Sequence, residues 1–155
     1  MWALLLAGLV AASLEVVACS YVWLGNPFRS EPANAVITIE VQVDGGVLTV
    51  RGTTDLPDRT ILKVTAADVR IESYHSTDAL VTVAGGRYQA SLGISGWRPG
   101  QIVVDAGFAP GYPGQPPEVV TRFGAMGEQL TGPQVHQDWD RGDRSLDAWT
   151  NVVLP

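Results

Sequence analysis

The sequence predicts an all-β, antiparallel fold, either a β-sandwich or a small barrel, with about seven to eight strands. Three observations support this prediction. Short segments alternate between apolar and polar residues with the period of two that is typical of a half-buried strand. Turn residues separate these segments, and the chain contains 17 Gly and 10 Pro. Helical periodicity is absent after residue 25, which argues against alternating strands and helices.

The first half of the predicted sheet is built from residues 36–43, 47–52 and 61–66. In the first of these segments every second residue is apolar. A glycine pair, Gly45-Gly46, follows it, and glycine takes positive φ at little cost, so the first two segments are predicted to form a hairpin. Pro57 marks a turn before the third segment, because proline fixes its own φ and the flanking aspartates bond local backbone amides.

The second half is predicted to contain four further strands and a closing strand. Gly85-Gly86 predicts a second hairpin, between the first two of these strands. Residues 75–78 and 109–117 are predicted loops, and residues 136–147 are strongly polar. The five segments are residues 80–83, 87–92, 101–108, 118–123 and 148–154. The order of paired hairpins favours a sandwich over a barrel.

Composition limits the functional classes. The chain has 155 residues, which favours one domain, and a net charge of -6, which argues against a nucleic-acid partner. A single cysteine excludes an internal disulfide and a zinc site built on two cysteines of one chain. We predict no cofactor.

The N-terminal segment predicts export. Residues 2–14 form an unbroken run of apolar and small residues, about the length of the hydrophobic region of a signal peptide. After Glu15 the segment continues into VVAC at residues 16–19, which resembles a bacterial lipobox, where a small residue precedes a cysteine that receives lipid. Cys19 would then become the mature N-terminus, held at a membrane by its acyl chains. Ser20 follows it, rather than the Asp that marks inner-membrane retention.

Two alternatives to lipidation at Cys19 are open. The segment before it has no Lys or Arg, and Glu15 occupies a position where an apolar residue is usual. Residues 2–25 are long enough for an uncleaved membrane helix, although Glu15 is costly in hydrocarbon. They also fit a buried helix in which Cys19 is an ordinary thiol. We therefore divide the chain into a signal peptide or anchor (residues 1–25), a linker (26–35) and a β-sandwich domain (36–155).

Several turn segments resemble those of a group of uncharacterised bacterial extracytoplasmic proteins. The similar segments are TDLPD at residues 54–58, PG at 99–100 before a strand, and GEQLTGP at 127–133. The resemblance covers about residues 46–135. It implies an immunoglobulin-like sandwich, here preceded by an N-terminal hydrophobic helix. It carries over no catalytic residue, because its motifs are turns.

The polar segment near the C-terminus offers the candidates for metal and receptor binding. Asp138, Asp140 and Asp143 supply the oxygen ligands that calcium prefers, although their order does not fit an EF-hand loop. The alternative is a solvated loop, as charge runs usually are. Arg141, Gly142 and Asp143 form an RGD tripeptide that a metal-bearing adhesion receptor could engage, and a three-residue match also arises by chance.

Other candidates are isolated residues. Tyr112 lies between two Pro-Gly pairs in a loop that is either an exposed recognition element or a rigid connection. His75 and His136 are the only histidines, and neither stands beside a serine or cysteine in a catalytic motif. We therefore predict no catalytic residue and no enzyme activity.

These observations predict a membrane-anchored, extracytoplasmic protein that binds a partner or has a structural role in the cell envelope. The membrane is contacted through the N-terminus, and a protein of the envelope is a candidate partner. The alternatives are an envelope enzyme or enzyme inhibitor, in which a histidine would meet a carboxylate in a polar pocket, and a surface assembly subunit. The sequence names no ligand.

Overall fold

The computed structural model describes residues 31–70 and 74–155, and every structural statement below refers to these residues. Strands account for 53% of the residues and helix for 6%, and the two larger sheets are antiparallel. These values confirm the predicted all-β class.

In the described residues ten strands and one short helix follow one another along the chain. They are β1 (Ala33–Asn34), β2 (Glu40–Asp44), β3 (Val47–Thr53), β4 (Ile61–Asp68), β5 (His75–Thr82), β6 (Arg87–Gly93), β7 (Gly100–Phe108), α1 (Pro117–Phe123), β8 (Leu130–Thr131), β9 (Val135–Gln137) and β10 (Arg144–Leu154).

Two sheets share the hydrophobic core. The larger has five strands in the order β5-β4-β7-β10-β9, and the smaller has three in the order β2-β3-β6. A short parallel pair, β1 and β8, accompanies them. Alternate residues of both sheets are buried in one cluster, for example Leu48 and Val50 of the smaller sheet and Ile102 and Val104 of the larger. The polar residues between them therefore point outward from each sheet.

The predicted first hairpin is present, since β2 pairs with β3 and the turn uses Gly45 and Gly46 at positive φ. The predicted first strand is irregular before β2, where the Tyr88 hydroxyl donates to the Thr38 carbonyl oxygen at 2.7 Å. A Cβ at Gly52 would overlap the Thr38 carbonyl oxygen. Glycine at this position therefore lets the chain before β2 approach the sheet closely.

The glycine pair at residues 85–86 forms a turn, but the strands beside it enter different sheets. β5 pairs with β4 in the larger sheet, and β6 pairs with β3 in the smaller one. Only the bridge between Ala84 and Arg87 closes the turn. The Asp58 carboxylate accepts a hydrogen bond from the Gly85 amide at 2.8 Å, so the two neighbouring turns support each other. The predicted hairpin is thus a corner between the sheets.

Two further predictions of local structure were wrong. Residues 118–123 were predicted as a strand, but Pro117–Phe123 is the helix α1. Val119 and Phe123 are buried four residues apart, which is helical spacing, and Pro117 is at the helix start. Residues 75–78 were predicted as a loop, but they belong to β5, because their backbone completes the ladder with β4.

The C-terminal region contains more strand than predicted. β10 starts at Arg144, four residues before the predicted closing strand, and pairs with both β7 and β9. The segment 136–147, noted only as polar, therefore holds a β9–β10 hairpin. At the other end, β1 lies in the segment assigned to a linker, where Ala33 and Asn34 pair with β8.

A buried ion pair fixes the end of β4. The Asp68 side chain is fully buried and accepts from the Arg70 Nε at 2.8 Å and the Arg70 backbone amide at 3.1 Å. Arg70 also donates to the carbonyl oxygens of Arg98 and Pro99. The hydrogen bonds from Arg70 lower the pKa of Asp68 to about 2, against the opposing effect of burial. The pair ties β4 to the loop before β7.

In the described residues no helix has the length and apolar character needed to cross a membrane. The signal peptide or N-terminal helix predicted for residues 1–25 lies outside these residues, as does Cys19.

Candidate functional site

The outer face of the five-stranded sheet collects the polar side chains of three adjacent strands. Register places Gly107 of β7 between Lys63 of β4 and Asp147 of β10. Two residues earlier on β7, on the same face of the sheet, Asp105 lies between Thr65 of β4 and Trp149 of β10. The pairing of distant segments therefore brings together residues that are far apart in the sequence.

The space above Gly107, which has no side chain, is taken up by the side chains of its neighbours. A Cβ at this position would lie 2.7 Å from the Asp147 Oδ1, 3.5 Å from the Tyr112 hydroxyl and 3.8 Å from the Asp105 Oδ2. Two carboxylates and a phenol thus converge on one point of the sheet surface. We call this group, Asp105, Gly107, Tyr112 and Asp147, the acidic hollow.

The carboxylates of the acidic hollow are held in an unfavourable environment. Burial and the nearby charge of Asp147 raise the pKa of Asp105 to about 6, and Lys63 and a hydrogen bond from Thr65 offset this only in part. Burial likewise raises the pKa of Asp147. Two opposing effects act on Asp147, a 3.0 Å hydrogen bond with the Ser145 hydroxyl and the charge of His136.

The remaining groups around the hollow define what it can contact. Burial raises the pKa of the Tyr112 phenol, and the two aspartates add to this effect, so Tyr112 is a neutral hydrogen-bonding group at neutral pH. Trp149, beside Asp105, is 62% exposed. Lys63 is engaged with Asp78 at 3.9 Å. A positively charged ligand would relieve the repulsion between the carboxylates and contact the indole face.

Of the predicted binding residues, Tyr112 lies in the acidic hollow. Gln115 fixes the loop that carries it, because its side-chain amide donates to the Ile61 and Ala109 carbonyl oxygens and its Oε1 accepts from the Ile61 amide. These hydrogen bonds hold the loop against the start of β4, and the loop places the Tyr112 side chain at the hollow.

The other predicted residues, Asp138, Asp140, Arg141 and Asp143, lie in the loop of the β9–β10 hairpin. The Asp138 carboxylate accepts from the backbone amides of Asp140 and Arg141 at 2.9 and 3.2 Å, so it stabilises the turn itself. In residues 31–70 and 74–155, no three His, Cys, Asp or Glu side chains form a group that could hold a metal ion.

The two histidines have different surroundings. His75 lies 6.2 Å from the Trp97 ring, centroid to centroid, at the end of the sheet that holds Asp68. His136 pairs with Ser145 in the β9–β10 ladder, and its charge acts on Asp147. His136 is therefore the histidine that belongs to the surroundings of the acidic hollow.

Sequence reasoning missed Asp105, Gly107 and Asp147 as one site. A local signal existed at Gly107, since glycine within a strand marks a close approach. The pairing of β7 with β10, which brings Asp147 to them, has no local signal. Searches against protein-family models, curated proteins and solved structures found no match for this chain.

Proposed function

We propose that this chain is an exported, membrane-tethered binding protein of the cell envelope, with an immunoglobulin-like sandwich as its binding domain. The acidic hollow carries the proposal. Two half-buried carboxylates lie close together over Gly107, near an exposed tryptophan. Such an arrangement destabilises the free protein, and a positively charged ligand would relieve the repulsion between the carboxylates.

The chemistry of the hollow favours an organic cation, such as a primary amine or a basic side chain of a partner protein. An ammonium group donates up to three hydrogen bonds, which suits carboxylates at Asp105 and Asp147 together with the Tyr112 hydroxyl. Trp149 adds a cation–π contact. Binding lowers the pKa of Asp105, so the ligand displaces a proton near pH 6.

The binding proposal is tested by calorimetric titration of the full chain with spermidine and with trilysine at neutral pH. We expect heat from both probes in the wild type and its loss in the double variant Asp105→Asn with Asp147→Asn. Asp44→Asn, an exposed carboxylate on the other sheet, is the matched control and should bind as the wild type does. Absence of binding to either probe, or equal binding by the double variant, would overturn the cationic ligand.

The membrane tether is supported by the apolar run at residues 2–14 and the VVAC segment that ends at Cys19. Cys19→Ala removes the only thiol that can be lipidated. We expect the variant to leave the membrane fraction or be mislocalised, with a mass that lacks the acyl chains. Unchanged mass and fractionation would rule out lipidation and leave an uncleaved helix as the anchor.

An envelope enzyme is the second candidate, because the hollow also contains the groups used in acid–base chemistry. Asp105 holds its proton to about pH 6, and His136 acts on the neighbouring Asp147. Mass spectrometry of the small molecules that copurify with the protein from its native cells distinguishes the two functions. A captured ligand released with unchanged mass after incubation supports binding, and one that is converted by the wild type but not by Asp105→Asn supports catalysis.

A further inference from the structure

A second concave surface lies on the smaller sheet. It is an open groove of about 870 Å³. Its lining residues come from β3, β6, the chain that enters β2, the end of β5 and the corner that follows it, and they include Glu40, Arg51, Arg87 and Tyr88. The acidic hollow shares none of them, so the groove is a separate feature.

The groove carries two arginines and one glutamate. Arg51 lies 4.0 Å from Glu40 and donates to the Gln42 side chain. Arg87 is exposed at the start of β6, and it has no ion-pair partner within the described part of the chain. In a protein whose net charge is -6, this groove is a local site for an anionic group.

The tip of the β9–β10 hairpin, residues 138–143, has the complementary character. Trp139 is 89% exposed, so it does not fill the groove of its own molecule. Three aspartates and one arginine accompany it. The loop is held by hydrogen bonds from the Asp138 amide to the Asp143 carbonyl oxygen at 2.8 Å and from the Gly142 amide to the Asp138 carbonyl oxygen at 2.7 Å. An exposed tryptophan on a fixed turn is typical of a docking residue, because little conformational entropy is lost when it binds.

We propose that the hairpin tip of one molecule docks into the groove of a second copy of this chain. Trp139 enters the groove, and the aspartates beside it pair with Arg87 and Arg51. The surfaces differ on the two partners, so the contact is head-to-tail. Repetition of the contact builds an open chain or a closed ring rather than a two-fold dimer. The acidic hollow takes no part, so assembly and ligand binding are independent.

Sedimentation velocity of the detergent-solubilised full chain tests the proposal with two single variants. Trp139→Ala removes the docking residue and keeps the groove, and Arg87→Glu reverses the groove charge and keeps the hairpin. Each should weaken self-association by about 30-fold, the effect of losing one interface hot spot. Tyr74→Ala and Arg122→Glu alter an exposed aromatic and an exposed arginine that do not line the groove, and they should assemble as the wild type does.

Mixing the two variants gives the sharpest result. Trp139→Ala retains an intact groove and Arg87→Glu an intact hairpin, so an equimolar mixture should form dimers and nothing larger. A wild type that stays monomeric at about 1 mM, where even weak contacts form, overturns the proposal. So does association that persists in both variants, which would place the contact elsewhere. Failure of the mixture to dimerise also overturns it, and Trp139 would then serve a different protein partner.

Discussion

Two carboxylate sites on the same five-stranded sheet have pKa values that are shifted in opposite directions. Asp68, on the inner face, is fully buried, yet its pKa is lowered to about 2, because Arg70 supplies hydrogen bonds and charge. Asp105, on the outer face, is only half buried, yet burial and Asp147 raise its pKa to about 6. The comparison shows that the protein supplies the partner of Asp68 itself, in the form of Arg70. Among the described residues, the second site has only partial compensation, from Lys63, which also pairs with Asp78, and from the charge of His136 near Asp147. We therefore assign its partner to a ligand.

The largest loss of stability should come from breaking the ion pair between Asp68 and Arg70. Arg70→Met removes the cation and leaves Asp68 as a buried, unpaired charge, which is among the most destabilising changes known in proteins. We expect the urea midpoint of unfolding to fall further than for any other substitution described here. Arg59→Met is the matched control, since Arg59 is exposed and lies 3.7 Å from Glu118 in a surface ion pair. Equal losses in the two variants would mean that the Asp68 site is not structural.

Removal of a charge from the acidic hollow should stabilise the folded protein, in contrast to Arg70→Met. Asp105→Asn abolishes the repulsion with Asp147, so the free energy of unfolding at pH about 8 should increase. A pKa raised to about 6 corresponds to about 3 kcal/mol for a buried group. The side chain is half exposed, and solvent screening reduces the expected gain to about 1 kcal/mol. Urea unfolding measures it, with Asp44→Asn as the unchanged control, and a loss of stability would contradict the assignment.

The same comparison predicts the pH dependence of stability. In the folded state the pKa of Asp105 is raised from its ordinary value of 3.8 to about 6. Its contribution to the free energy of unfolding therefore falls as the pH rises from about 4 to about 6. Asp68 binds its proton less tightly when folded, so its contribution is complete above 3.8 and is lost as pH falls towards about 2. Unfolding free energies measured across this range should therefore peak near pH 4.

The two limbs of that profile can be separated by substitution. Asp105→Asn should flatten the decline between pH about 4 and 6 and leave the acid limb in place. Asp68→Asn should remove the acid limb. A profile in which Asp105→Asn changes nothing above pH 4 would show that the carboxylates of the hollow are not perturbed.

The sequence predicted the parts of the fold that have local causes. The alternation of β3, β4, β6 and β7 and the turns at Gly45-Gly46 and Pro57 follow from single-residue preferences, and the structure contains them. Helix α1 was not predicted, because apolar residues at Val119 and Phe123 in a six-residue segment fit the period of a strand as well as that of a helix. Phe108, which packs against Phe123, is distant in sequence and gave no local signal. The corner at Gly85-Gly86 was read as a hairpin, since a turn does not reveal which sheets its strands join.

The candidate site was less predictable for a related reason. Tyr112 was named as a weak binding candidate, but its partners come from β7 and β10, which only the antiparallel register brings together. The exposure of Trp139 on a fixed hairpin likewise depends on β9, which the sequence did not predict. Long-range pairing therefore determines both surfaces.

The smallest predicted effect tests whether the two carboxylates of the hollow act as a coupled pair. Ser145→Ala removes the hydrogen bond to Asp147, so the pKa of Asp147 should rise, with a stability loss of about 0.5 kcal/mol at neutral pH. Asp147 is then protonated over a wider range, repels Asp105 less, and the pKa of Asp105 should fall. NMR titration of the carboxyl carbons measures both, with Ser91→Ala as the control on the other sheet. Movement of one carboxylate without the other would mean that each is perturbed by burial alone, and the charge repulsion that favours a cationic ligand would be absent.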